Sequence, residues 1–211
     1  METALARQLL PTSIASTVAA DLVAVGARLT LRPWDRRKDR QAQDRWPADP
    51  SPFAQVWRIQ AHNPYPGPRV SWAIRLREDE STIGRVTLRD IDSPVARLGI
   101  YVAAPWTGRG LGSEALRLLL DASFNRMGFE QIALDVAASN QRALKCYMGL
   151  GFQLQYHEWR KVGSDPALKL LESEEYAHLR SFFDLSFYID PCALFFELAL
   201  CASAWQQEIN A

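Results

Sequence analysis

Apolar residues recur at every second position through three successive stretches of the chain, and after that at every third or fourth. Val70, Trp72, Ile74 and Leu76 alternate with small or polar residues, Glu78–Ser81 makes a turn, and Ile83–Ile91 returns. Asp92-Ser93-Pro94 turns again, and Ala96, Leu98, Ile100 and Val102 line one face of a third segment. A period of two marks half-buried strands, so residues 70–102 predict an antiparallel meander. Leu111, Ala115, Leu118, Leu119 and Ala122 then recur at helical spacing and predict a helix that ends near Gly128. Gln131–Ala137 reads as a strand, Asn140–Leu150 as a helix stopped at Gly151, and Gln153–Val162 as a further strand.

The flanks are less regular. Residues 1–25 read as one or two short helices broken at Pro11, Arg28–Arg32 as a strand, and Asp35–Trp46 as a polar helix. Pro47, Pro50 and Pro52 precede a short helix around Phe53–Ala61, and three prolines with a glycine make His62–Pro68 a loop. Residues 164–182 read as helical, and Phe187–Cys201 holds a last strand candidate. This order predicts a mixed α/β fold with one central sheet. Its parts are an N-terminal helical extension (1–25), a core (26–162), and a C-terminal helical segment with a closing strand (163–211).

Composition narrows the class without naming a function. The 211 residues suffice for one domain with a sizeable core. Lys+Arg and Asp+Glu are both 24, so no global field attracts nucleic acid or an anionic membrane, and neither is expected as a partner. Residues 28–45 carry seven basic and three acidic side chains, and residues 165–197 seven acidic and two basic, which reads as two solvated faces. Cys146, Cys192 and Cys201 have no metal-ligand spacing, so no metal is expected, and they fit reduced thiols in a cytoplasmic protein. Neither Ile14–Val25 nor Ala193–Trp205 has the length or uninterrupted apolarity of a membrane span.

Two segments carry chemistry. In Ile100–Ser113, IYVAAPWTGRGLGS, a strand runs into a loop holding Gly108, Gly110 and Gly112, and a helix begins at once. Glycines admit a ligand close to the backbone, and a helix start offers unpaired N–H groups with a favourable dipole, which suits a pyrophosphate. The P-loop pattern is absent because no lysine follows, and the dinucleotide fingerprint fails at Ser113. The second segment, Leu134–Phe152, holds Asn140, Ala143, Tyr147, Gly151 and Phe152 in the pattern N-x2-A-x3-Y-x3-G-F. On a helix, positions 140, 143 and 147 share a face, where Asn140 presents an amide, Ala143 leaves room and Tyr147 places a phenol. Taken one at a time, Asn140 reads equally as a helix cap and Tyr147 as a core aromatic.

Together the two segments resemble the GNAT superfamily of N-acetyltransferases. The first looks like its acyl-CoA-binding motif [QR]-x-x-G-x-[GA], here Thr107-Gly108-Arg109-Gly110-Leu111-Gly112. The opening Leu29–Asp35, LTLRPWD, is most similar to the branch that acetylates ribosomal-protein N-termini. The resemblance implies a mostly antiparallel central sheet, splayed in the middle and flanked by helices. It implies acetyl-CoA as co-substrate, an amine acceptor (a protein N-terminus or a small molecule), and direct attack of the amine on the thioester; a homodimer is compatible with it. Tyr101, Val102 and Ala104 then supply backbone bonds to the pantetheine arm, residues 107–113, Ser113 included, hold the pyrophosphate, and Asn140 with Ala143 flanks the arm. Tyr147 takes the place of the general acid. Two positions depart from the family pattern: Thr107 replaces Arg or Gln, and Arg97 stands where some members carry a catalytic glutamate. Asp135, twelve residues before Tyr147 in Leu134-Asp135-Val136, matches another position of the base. The rival expectation is a non-catalytic acyl-CoA-binding or assembly module.

Overall fold

The computed structural model describes residues 21–59, 67–186 and 191–209. The described residues form two compact units, one built from residues 21–48, 67–133 and 200–209, the other from residues 49–59, 134–186 and 191–199.

In the first unit, β1 (Ala24–Val25), β2 (Leu29–Pro33), β3 (Arg69–Leu76), β4 (Thr82–Arg89) and β5 (Val95–Val102) pair in sequence order, each antiparallel to the next. β5 then pairs in parallel with the start of β6 (Gln131–Ala137), Val95 facing Gln131 and Arg97 facing Ala133. The meander follows from its period-two apolar residues: Trp72, Ile74, Val86, Leu88, Ala96 and Leu98 are buried. Toward the end of β5 burial relaxes, and Ile100 and Val102 are half-exposed. Helix α1 (Lys38–Asp44) is fixed by Asp39, a buried carboxylate that takes two bonds from the Arg32 guanidinium and one from Thr82 Oγ1. Helix α2 (Leu111–Asn125) packs against β1 and β2, and Leu111, Ala115, Leu116 and Leu119 on it are buried. Residues 1–20 of the expected N-terminal extension lie outside the described residues. Ala24–Val25, expected to be helical, is instead a strand, because the turn at Gly26 folds it back onto β2 with Ala24 opposite Leu31.

In the second unit β6 continues, and β9 (Cys192–Cys201) lies between it and β7 (Gln153–Lys161). A two-residue strand β8 (Phe183–Asp184) also pairs with β9. Helix α3 (Gln141–Met148) follows β6, and none of its residues is fully buried. The helical expectation for 164–182 resolves into two 3-10 segments, Pro166–Glu172 and Ala177–Phe182. Asp165 caps the first, and Arg180 closes its end by donating to the carbonyls of Leu171 and Glu172. Together they lay Leu168, Leu171, Leu179 and Phe183 against Phe53, Val56 and Phe195 in a core of their own. A last helix, α4 (Ala202–Ile209), returns to the first unit, where Trp205 packs on Phe124. The sheet is thus mostly antiparallel, open and flanked by helices. The three cysteines form no disulfide, and no helix among the described residues is long and apolar enough to cross a membrane.

Candidate active site

β5 delivers the chain to the glycine loop. Ala103 N–H donates to the Ile83 carbonyl, so along this antiparallel ladder the backbone groups of Tyr101 also face β4, and those of Val102 face the opposite edge. The Tyr101 ring stacks on Trp46, centroids 5.4 Å apart. Ala104 opens a 3-10 turn, and its carbonyl accepts from both the amide and the hydroxyl of Thr107. The Thr107 hydroxyl is therefore engaged locally and does not replace the longer Arg or Gln side chain. Gly108 and Gly110 have φ of +74° and +75°, a region that costs a residue with a Cβ, and this explains glycine at both positions. Around the Cβ position of Gly108 there is open space. Gly110 is the N-cap of α2 and, having no side chain, makes no side-chain cap there. The Arg109 guanidinium lies over the Trp106 ring. This local geometry is a cradle of backbone donors at a helix start, which fits a diphosphate.

The loop is braced by two residues not anticipated from the sequence. Arg28 donates through Nε to Glu114 Oε2 and through Nη1 to the Arg109 carbonyl. Burial pushes the Glu114 carboxyl upward, but the Arg28 amide and guanidinium and the Leu29 amide outweigh it and hold the group below the ordinary glutamate value. No local signal announces this brace, because its partners stand 81 and 86 residues apart in sequence.

The second unit holds the other candidate residues. Asn140 is the N-cap of α3, its Oδ1 accepting from the Ala143 amide at 3.2 Å. The capping role is therefore filled, and it orients the carboxamide at the head of the helix. One helical turn beyond Ala143, Tyr147 is half-buried and packs edge-on against Phe152. Burial, reinforced by Cys146 and by the Asp135 carboxylate, pushes the Tyr147 phenol well above its ordinary value. The phenol therefore keeps its proton at neutral pH.

Asp135 on β6 is nine-tenths buried, and its Oδ2 accepts from Arg160 Nη1 at 2.6 Å. Arg160 is the one buried residue of β7. It also donates to Glu158 and to the Ile59 carbonyl, and its guanidinium lies over the Phe195 ring. Trp57 Nε1 donates to Ser139 Oγ, next to the α3 cap. Among the described residues, no group of three or more His, Cys, Asp or Glu is placed to hold a metal.

Comparisons with known proteins bear on this geometry. A family profile described as the acetyltransferase (GNAT) domain matches residues 28–153. The chain is 31% identical over 81 residues to the L-amino acid N-acetyltransferase AaaT of Escherichia coli K12, covering 36% of this chain and 50% of that protein. It is 35% identical over 78 residues to a kanamycin resistance protein of Rhizobium radiobacter, covering 37% of this chain and 64% of that one. The matches therefore span between half and two thirds of these curated relatives. In fold, it is similar to mutant forms of the spermidine/spermine N-acetyltransferase SpeG of Vibrio cholerae, with TM-score 0.57 and 19% identity over 87% of this chain and 99% of that one.

Proposed function

The chain belongs to the GNAT acetyltransferase family, and on that premise we propose that it transfers an acetyl group from acetyl-CoA to a primary amine. The observation that carries this reading is the glycine loop: left-handed Gly108 and Gly110 open onto the start of a fifteen-residue helix that has no side-chain cap. In this reading the amides of residues 108–113 hold the diphosphate, and Val102 and Ala104, with Tyr101 behind them, border the pantetheine arm. By the family resemblance, Asn140 and Ala143 of α3 are assigned to cofactor binding as well. The amine nitrogen attacks the thioester carbonyl carbon, an N–C bond forms, the C–S bond breaks, and the Tyr147 hydroxyl gives its proton to the departing thiolate.

The pairing of Asp135 with Arg160 favours a positioning role for this carboxylate over that of a free base. A site with a weak base selects for amines that arrive neutral. An α-amine of pKa about 8 is neutral in roughly a tenth of molecules at pH 7, and a lysine amine of about 10.4 in well under a thousandth. The acceptor class we assign is therefore an α-amine or another amine of low pKa, such as an amino acid or a protein N-terminus. The LTLRPWD opening supports the second of these. Two observations, the inward-bonded Thr107 hydroxyl and the engaged Asp135, also favour a second reading, an acyl-CoA-binding module without turnover.

The test is direct. Acetyl-CoA at a hundredfold excess over Kd adds about 2.7 kcal/mol to stability, so the melting temperature rises by several degrees. CoA is then released on addition of one member of a panel of amino acids, peptides and polyamines. Failure of acetyl-CoA to raise the melting temperature refutes both readings. Binding without release across the panel selects the module.

A further inference from the structure

The brace behind the glycine loop has a charge and a direction. Glu114 sits in the first turn of α2, the turn whose amides would meet a diphosphate, and its side chain is only 17% exposed. A carboxylate there suits the dipole of the helix start but repels a second anion at the same place. Arg28 lies across it: the backbone amide of Arg28 donates to Oε1 at 2.7 Å and Nε to Oε2 at 2.8 Å. Gly26 makes this approach possible, because a Cβ there would come within 2.8 Å of Glu114 Oε1. The same guanidinium donates from Nη1 to the Arg109 carbonyl at 3.0 Å, and Nη2 stands 3.4 Å from where a Cβ on Gly110 would be. A trans peptide points its C=O and N–H in opposite directions. Holding the Arg109 carbonyl toward Arg28 therefore aims the Gly110 N–H the other way.

We propose that Arg28 is a positioning residue for the diphosphate of acetyl-CoA, cancelling the charge of Glu114 and fixing the Arg109–Gly110 peptide with its N–H turned to the ligand. The proposal rests on the acetyl-CoA reading. It also accounts for the tolerated Thr107: the loop has a guanidinium that reaches it from the edge of β2.

The experiment is calorimetric titration of the full chain with two thioesters, acetyl-CoA and acetyl-pantetheine, the latter having the arm but no diphosphate. Arg28→Gln is expected to raise the acetyl-CoA Kd about tenfold or more, the scale of a lost charge-assisted contact, and to leave the acetyl-pantetheine Kd within twofold. Arg28→Gln/Glu114→Gln should recover part of the affinity, since the uncompensated charge is gone, but not all of it, since the peptide is no longer held. Arg28→Lys keeps the charge without the fork, so it should fall between wild type and Arg28→Gln; it serves as the test if the glutamine variant does not fold. Equal loss for both thioesters would mean a structural role only, and an unchanged acetyl-CoA Kd in Arg28→Gln overturns the proposal. Wild-type protein that binds no acetyl-CoA overturns the proposal together with the reading beneath it.

Discussion

Tyr147 is the residue whose surroundings speak most directly to proton transfer. Its phenol is half-buried near the Asp135 carboxylate, and both influences favour the protonated form. If it donates to the leaving thiolate, Tyr147→Phe lowers kcat by about 10²–10⁴ and leaves the acetyl-CoA Kd nearly unchanged, because the proton is needed only as the thiolate departs. A change confined to Kd, with kcat intact, would assign the phenol to binding. The raised pKa also has a signature in stability. The folded value exceeds the unfolded one of about 10, so the contribution of this group is complete below pH 10 and declines as pH rises toward the folded value. Wild type should lose melting temperature relative to Tyr147→Phe above pH 10 and not below it. At this scale the sequence was informative where the constraint is local. Gly108 and Gly110 are readable because a left-handed backbone leaves few choices of residue. Asn140 announced both a cap and an amide, and the cap is what the hydrogen bond to Ala143 fills. Arg28 and Arg160 were not readable, since each owes its role to residues far along the chain.

Among the elements, the β3–β4–β5 meander positions the loop, and its period-two pattern showed the strands in advance. It did not show how close β4 and β5 run at their ends. Gly84 faces Val102, and a Cβ on Gly84 would fall 2.6 Å from the Tyr101 carbonyl oxygen, a backbone atom with no rotamer to yield. Gly84→Ala must therefore push the end of β5 away or strain it. The expected outcome is a loss of about 1–3 kcal/mol with weakened acetyl-CoA binding, read by denaturant melts and calorimetry. Wild-type stability would mean that the two strands part without cost. The helices show the limit of pattern reading: the apolar stripe of α2 was legible, but the 3-10 segments between Pro166 and Phe182 were visible only as helical. Asp165 and Arg180 hold the two ends of the first, and Arg180 reaches it from the second.

On the scale of the whole molecule, one guanidinium gathers distant parts of the second unit. Arg160 on β7 binds Asp135 on β6, 25 residues away, and the carbonyl of Ile59, 101 residues away, above Phe195 of β9. Arg160→Met keeps much of the length but takes an ion-pair partner away from the buried Asp135 carboxylate, which costs about 3–5 kcal/mol and lowers the melting temperature accordingly. Arg160→Met/Asp135→Asn should regain a large part of that loss, since the carboxylate that lost the Arg160 contact is no longer charged. Equal losses in the single and double variants would show that the Ile59 carbonyl and Phe195, not the charge pair, set the requirement.

The way the units are threaded bears on when each is finished during synthesis. The first unit takes its opening strands from residues 24–33 but needs α4, at residues 202–209, to place Trp205 against Phe124. The second interrupts it twice, first with residues 49–64 and then with 134–199. A ribosome releases β1 and β2 of the first unit before either piece of the second, and α4 after both. Until residues 200–211 emerge, the apolar side of α2 around Phe124 has no partner in Trp205, and the nascent chain carries that exposed surface through the whole time the second unit is being made.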